Sequence, residues 1–324
     1  MKQVYARIAG TGRGLPKRIL TNADLEKMVD TTDEWIRTRT GIERRHICAD
    51  DETNLDLCEI AARNAMEAAG VGPKDIDLVI VGTTTPNQVF PNMGCLLQQR
   101  MGIGGPPAFS IEAACTGFIY ALNIAEKFIR TGDSKRALVV GGETLSRMVD
   151  WTDRSTCVLF GDGAGAVVLE ASEEPGIIST HLHADGQYAD LLYFPSGVSK
   201  KPEDFLHRRD FIQMKGNEVF KVAVTKLGEI VVEALAANNM TGDDIDWLIP
   251  HQANMRIIDA TARKLKMPME RVVVTVQDHG NTSTASVPMA LDVAVRDGRV
   301  KRGQTILLEA FGGGFTWGAA LIKY

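Results

Sequence analysis

Five short runs of aliphatic and β-branched residues punctuate the chain, at positions 77–83 (DLVIVGT), 137–143 (ALVVGGE), 164–170 (AGAVVLE), 272–276 (VVVTV) and 305–311 (TILLEAF). Their nearly unbroken apolar character predicts strands buried on both faces of a covered sheet. Helical periodicity occupies the intervals, clearest over 54–69 and 219–237. After Cys115, the residues Phe118, Ala121, Leu122, Ala125, Phe128 and Ile129 recur at helical spacing up to Gly132, a natural C-terminal cap. Strands alternating with helices predict an α/β layered fold. The stretch 188–209, mixed in charge and turn residues, reads as a surface excursion. GTGRGLP at 10–16 reads as a turn, because its glycine spacing and following proline fit neither the dinucleotide fingerprint nor the P-loop.

The second half of the chain repeats the first in order. AAGVGPKDIDLVIVGTTTP is echoed by ANNMTGDDIDWLIPHQAN, CTGFIYALNIAEKFIRTGD by NTSTASVPMALDVAVRDGR, and ALVVGGE by TILLEAFGG. Asp77 and Asp246 are 246 − 77 = 169 positions apart, while Cys115 and Asn281 are 281 − 115 = 166 apart. Two similar halves packed about a pseudo-two-fold axis are expected, with Cys115 and Asn281 at equivalent loop-to-helix transitions.

Composition narrows the function classes. With 324 residues, 44% hydrophobic and 24% charged, the chain has the make-up of an ordinary globular protein, and its net charge of −5 argues against broad nucleic-acid binding. No stretch reaches the length of a membrane span, and the start MKQVYARIAG lacks a signal-peptide pattern, so a cytoplasmic protein is expected. Cys48, Cys58, Cys95, Cys115 and Cys157 form no C-x-x-C pair, which points to neither a disulfide framework nor a metal site.

Cys115 stands apart from the other four. It lies between small residues at the start of an apolar helix, whose dipole favours a thiolate, and a nearby histidine can bring a thiol pKa into the range of about 3.5–7.5. His251 follows the strand of the second half's Asp-Ile-Asp unit, which gives it a reason to point inward. His279 lies beside Asn281 but has no such strand-end position, and His46, His181, His183 and His207 read as surface or structural residues. A Cys-His-Asn set matches cysteine proteases in residue type. Their local signatures around the nucleophile are absent here.

Taken together, ACTGF around Cys115, PHQAN around His251, HGNTSTAS around Asn281 and the terminal FGGGFTWG resemble the β-ketoacyl-acyl carrier protein synthase III family, the initiating condensing enzymes of type II fatty acid synthesis. The resemblance spans essentially the whole chain. It implies a thiolase fold of two duplicated halves in five αβαβα layers, with residues 1–175 carrying the nucleophile and 176–324 the histidine and asparagine, assembled as a homodimer. It also implies an acyltransferase with no permanently bound cofactor. Cys115 would take the acyl group of a short acyl-CoA, with the N–H groups of Cys115 and Gly313 as oxyanion donors. Malonyl-acyl carrier protein would then lose CO2 and attack that thioester, with His251 and Asn281 as hydrogen-bond donors to the developing charge.

The same resemblance assigns Trp35 and Arg154 to the CoA adenine, and Thr31, Arg39, Gly216, Asn217, Phe220 and Asn254 to the pantetheine tunnel or nucleotide end. Phe90 would cross the dimer to close the acyl pocket. The amphipathic segment QANMRIIDATARKLKM places Arg256, Arg263 and Lys264 on one flank, with Lys221 elsewhere, a basic patch that suits an acidic carrier protein. Two alternatives stay open: a homologue condensing other acyl thioesters in secondary metabolism, and a noncatalytic acyl-CoA or carrier-protein binding protein.

Overall fold

The computed structural model describes residues 4–199 and 210–324. Positions 200–209 of the expected excursion, His207 among them, lie outside the described residues. Strands β1 (Tyr5–Gly14), β2 (Leu78–Gly82), β3 (Ala108–Ile111), β4 (Arg136–Thr144) and β5 (Asp162–Ser172) form one sheet in the order β1-β5-β4-β2-β3. Strands β6 (Ile177–Ala184), β7 (Trp247–Pro250), β8 (Thr305–Gly312) and β9 (Thr316–Lys323) form a second in the order β7-β8-β9-β6. The chain passes from one sheet to the other between Ser172 and Ile177.

Among the described residues, the helices longer than a single short turn are α1 (Asp33–Thr40), α2 (Asn54–Ala69), α3 (Met93–Met101), α4 (Gly117–Thr131), α5 (Gly216–Ala237), α6 (Met255–Lys264) and α7 (Ser286–Arg296). Strand alternation decides which layer each covers. Val79 and Val81 of β2 pack outward against α2 and α3, while Leu78 and Ile80 pack inward against α4 and α7. In the second sheet Ile306 and Leu308 join that same inner core, and Leu307 packs outward under α5 and α6. The result is a five-layered αβαβα stack, the thiolase fold, with α4 and α7 as the shared middle layer.

Local signals explain most element ends. Thr53 and Asp56 form a reciprocal capping box at the start of α2, and Gly70 ends it in the left-handed conformation at φ 67°. Gly132 ends α4 likewise at φ 84°. Two sequence expectations are corrected. The 10–14 stretch is not a turn but the end of β1, where alternate glycines face α2. A Cβ at Gly12 would lie 2.3 Å from both the Ala61 carbonyl oxygen and the Ala65 nitrogen, so only glycine lets the helix backbone touch the strand. Residues 272–276 do not form a strand beyond a single bridge from Val272 to Leu248. The buried Gln252 side chain accepts from the Thr275 and Val276 N–H groups at 2.8 and 3.1 Å, taking the donors a sheet partner would have used.

The repeat is visible in the register. Leu78 pairs with Ala137 in the first sheet as Trp247 pairs with Ile306 in the second, each displaced by 247 − 78 = 169 positions. Helices α4 and α7 begin at the same offset, 286 − 117 = 169, each preceded by a short turn whose first residue has positive φ: Ala114 at 43° and Ser283 at 50°. The counterpart of Cys115 is therefore Thr284, and its pairing with Asn281 was a three-residue slip. Its cause is that α4 has 15 residues and α7 only 11, so alignment from the C-terminal glycines drags the register.

Substituting Gly12→Ala is expected to lower stability by about 1–3 kcal/mol through overpacking. Gly104→Ala, where an added Cβ meets nothing within 4 Å, is the control, and urea denaturation midpoints compare the two.

Candidate active site

Cys115 occupies the 3-10 turn Ala114–Thr116 that leads into α4, and it is buried. Gly312, at the end of β8, abuts it so closely that a Cβ there would lie 2.5 Å from the Cys115 nitrogen. Gly313 stands beside the same turn, its would-be Cβ 3.8 Å from that of Ala114. Sequence reasoning singled out Gly313 and missed Gly312. The run of three glycines held the signal but not which one makes the contact.

The second half supplies the facing groups. His251 follows β7, donates its N–H to the Glu309 carbonyl at 2.9 Å, and has its Nδ1 2.6 Å from the Ser286 hydroxyl at the start of α7. With Nδ1 so engaged, Nε2 is the ring nitrogen left for the cavity. Asn281 accepts the Ser283 N–H on its Oδ1 at 2.9 Å, which leaves its NH2 as the group free to donate. The Ser283 side chain also favours the Cys115 thiolate, against the effect of burial. Ser283 and Ser286 were not anticipated, since a serine beside an apolar helix is ordinary until the fold turns it toward the site.

Cys115, His251 and Asn281 line one cavity of about 240 Å³. Trp35, Arg39, Gly216, Phe220, Asn254 and Arg256 share its wall, with Leu192, Met214, Val219, Ala223, Leu227, Ile257 and Phe311 among the apolar residues between them. Thr31, Asn217 and Arg154 are not on that wall. Arg154 stacks its guanidinium 5.4 Å from the Trp35 ring centroid and donates to the Asp30 carbonyl at 2.7 Å. Thr31 keeps a buried hydroxyl without a hydrogen-bond partner, and Asn217 is exposed on the first turn of α5. Phe90 is 82% exposed, on a loop beside a different cavity of about 660 Å³ lined by Thr83, Thr84, Thr85 and Val89. Arg256 sits 4.8 Å from the Phe220 ring centroid, while Arg263 pairs with Asp259 and the Lys264 stem runs along Gly228 of α5. Lys221 is exposed on α5. Of the four basic residues, Arg256 alone reaches the cavity wall.

Burial dominates the electrostatics. It pushes the Cys115 thiol up to about 11, with the Ser283 side chain working against it and the Glu143 charge adding to it. It also pushes His251 down to about 4. The expected low-pKa thiolate is thus corrected: at neutral pH the free site holds a thiol beside a neutral imidazole. A histidine helps a thiolate as its cation, and this one is too dry to carry a proton. His279 is not on the cavity wall; its ring centroid lies 5.6 Å from that of His46, and burial followed by the His46 charge lowers it to about 4.

The duplicated frame, with its two middle-layer turns meeting at one cavity, defines a thiolase-fold protein of the condensing class. The family models described as 3-oxoacyl-[acyl-carrier-protein] synthase III and its C-terminal part match residues 109–186 and 235–324. Beta-ketoacyl-[acyl-carrier-protein] synthase III of Thioalkalivibrio sulfidiphilus is 66% identical over 320 residues, covering 99% of both chains. The Aquifex aeolicus 3-oxoacyl-[acyl-carrier-protein] synthase III structure superposes with a TM-score of 0.93 at 49% identity, over 98% of this chain and 100% of that one. The priming β-ketosynthase of the R1128 polyketide pathway gives 0.93 at 38% identity, over 99% and 97%. The chain belongs to the 3-oxoacyl-[acyl-carrier-protein] synthase III family.

Depressed histidines make stability depend on pH with a definite sign. As pH falls from 6.5 toward 4 the unfolded chain takes up the His279 proton before the folded one does, so that stabilisation, whole above 6.5, is lost through this window. Burial raises Glu143 and Glu309 to about 7 and 8, which acts in the opposite sense over the same range, so comparison with a variant is needed. Between pH 7 and 4.5, wild type should lose up to about 3 kcal/mol relative to His279→Gln in urea denaturation.

Proposed function

We propose that this protein condenses a short acyl-CoA primer with malonyl-acyl carrier protein, releasing CoA and CO2 and forming a β-ketoacyl-carrier protein, the priming step of fatty acid synthesis. The observation that carries the reading is the convergence of Cys115, His251 and Asn281 on one cavity. The relatives, which bear the synthase III name over the full length, support it.

In the first half-reaction the Cys115 sulfur attacks the thioester carbonyl, and its proton leaves with the CoA thiolate. Because the resting group is a thiol, its proton must move as the carbon–sulfur bond forms, and the departing CoA sulfur is where it ends. The Cys115 and Gly313 N–H groups receive the oxyanion, an arrangement possible because Gly312 lets the end of β8 approach the Cys115 backbone.

In the second half-reaction malonyl decarboxylation yields an enolate, whose negative charge on the thioester oxygen is met by His251 and Asn281. Each is oriented for this by a serine. A Ser286 hydroxyl that donates to Nδ1 leaves Nε2–H as a donor, and the Ser283 N–H holds the Asn281 amide the right way round. Dry surroundings strengthen these bonds as charge develops. CoA would enter past Arg39, Gly216, Asn217, Phe220 and Asn254, with Thr31, Trp35 and Arg154 at the nucleotide end. The active unit is a homodimer in which Phe90 closes the partner's acyl pocket, and Arg256, Lys221, Arg263 and Lys264 receive the carrier protein. No described helix is long and apolar enough to cross a membrane, which accords with action in the cytoplasm.

Intact-protein mass spectrometry tests the reading, with acetyl-, isobutyryl- and octanoyl-CoA followed by malonyl-acyl carrier protein. An acyl adduct absent from Cys115→Ala and discharged by the malonyl partner is expected; an undischarged adduct would favour a synthase of other pathways, and no adduct a binding protein. His251→Ala and Asn281→Ala should still acylate but slow condensation by roughly 10²–10³. Arg256→Ala should raise KM for malonyl-carrier protein more than for acetyl-CoA, and equal effects would remove its docking role.

A further inference from the structure

The two halves of the chain part company at one point, just beyond β2 and β7. At the common offset, 251 − 82 = 169 and 252 − 83 = 169, the first half carries Gly82 and Thr83 where the second carries His251 and Gln252. The sheets differ at the same place. In the first, β3 borders β2, with Val79 paired to Ala108 and Gly82 to Ile111. In the second, Leu248, the counterpart of Val79 at 248 − 79 = 169, makes a single bridge to Val272, and β7 is left at the edge of its sheet. The chain beyond that bridge turns through Val276–His279 and delivers Asn281 to the cavity.

The buried Gln252 side chain spans the gap where the pairing stops. Its amide nitrogen donates to the Pro250 carbonyl at 2.7 Å and to the Val273 carbonyl at 3.1 Å. Its amide oxygen accepts from the Thr275 and Val276 N–H groups at 2.8 and 3.1 Å. Both protons and both lone pairs are used, and a flipped amide would set donor against donor, so the side chain fits one way round. The Gln252 N–H donates in turn to the Ser286 hydroxyl at 3.3 Å, the same group that lies 2.6 Å from His251 Nδ1.

Each donor of the site is otherwise held from its own side. The His251 N–H bonds the Glu309 carbonyl of β8 at 2.9 Å, while the Asn281 backbone bonds Leu159 and Gly161 of the first half at 2.8 and 3.0 Å. The bond from the Val273 N–H to the Leu248 carbonyl, at 2.9 Å, lies further back along β7. Gln252 therefore ties the His251 loop to the segment that leads to Asn281. An enolate oxygen must meet both donors at once, and a displacement of about 1 Å between them is enough to lose much of the rate.

We propose that Gln252 is a positioning residue for condensation, which sets the spacing of the His251 and Asn281 donors by clamping the loop that carries the first to the segment that delivers the second. The proposal rests on the condensing reading above, in which these two donors serve the second half-reaction.

The test separates the half-reactions by intact-protein mass spectrometry. One rate is the acetylation of Cys115 by acetyl-CoA; the other is the discharge of the isolated acetyl-enzyme by malonyl-acyl carrier protein, counted per acetylated molecule so that unfolded protein does not enter. Gln252→Met keeps the length of the side chain and removes all four hydrogen bonds. Its acetylation rate should stay within about twofold of wild type, while discharge at saturating malonyl-carrier protein slows about fivefold or more. A smaller effect on discharge overturns the proposal, as does an equal slowing of both steps, which is what a merely structural role would give. If Gln252→Met does not fold, Gln252→Glu, which keeps the oxygen facing Thr275 and Val276 and loses the amide donors, is judged by the same two rates. Failure of the condensing reading would show separately in wild type, as a Cys115 that takes no acetyl group or an acetyl-enzyme that malonyl-carrier protein does not discharge.

Discussion

Backbone pressed directly on backbone at the centre of the molecule is the constraint on which the rest depends. Gly82, Gly117 and Gly141 surround Thr284, and a Cβ on Gly141 would fall 2.6 Å from the Thr284 carbonyl oxygen. Gly312 makes the corresponding approach to Cys115. These contacts let the two middle-layer turns sink between the sheets, so that residues more than a hundred positions apart share one small cavity. A side chain at any of them would separate the halves, and the site is made by their meeting.

Burial at that centre has a chemical consequence as well as a mechanical one. It holds Cys115 as a thiol, His251 as a neutral imidazole, and Glu143 and Glu309 close to protonation at neutral pH. A site of this kind carries little charge at rest and is arranged for charge that appears during reaction, where preorganised dipoles in dry surroundings act most strongly. The Ser286 hydroxyl and the Ser283 backbone N–H belong to this arrangement, since they orient the donors without adding charge.

Much of the frame was legible in the chain. The apolar runs at 77–83, 137–143, 164–170 and 305–311 are strands within a residue or two at each end, and α2 spans Asn54–Ala69 as its periodicity and capping residues indicate. The misreadings share a cause. Residues 272–276 look like a strand because β-branched residues favour one, yet a single buried glutamine captures the Thr275 and Val276 donors. The glycines at 10–14 look like a turn because glycine permits turns, yet their alternation serves the packing of α2. In each case a distant partner overrode a local preference.

By itself the sequence determined the alternation of strands and helices, the duplication, and the residue types able to carry acyl transfer, because periodicity and motif are written in neighbouring positions. Only the tertiary structure decided that Thr284 is the true counterpart of Cys115, that Gly312 touches the nucleophile's backbone, and that the thiol is raised rather than lowered. These last depend on helix length, on sub-ångström clearance and on desolvation. All three are properties of what surrounds a residue in space, and no stretch of chain contains its own surroundings.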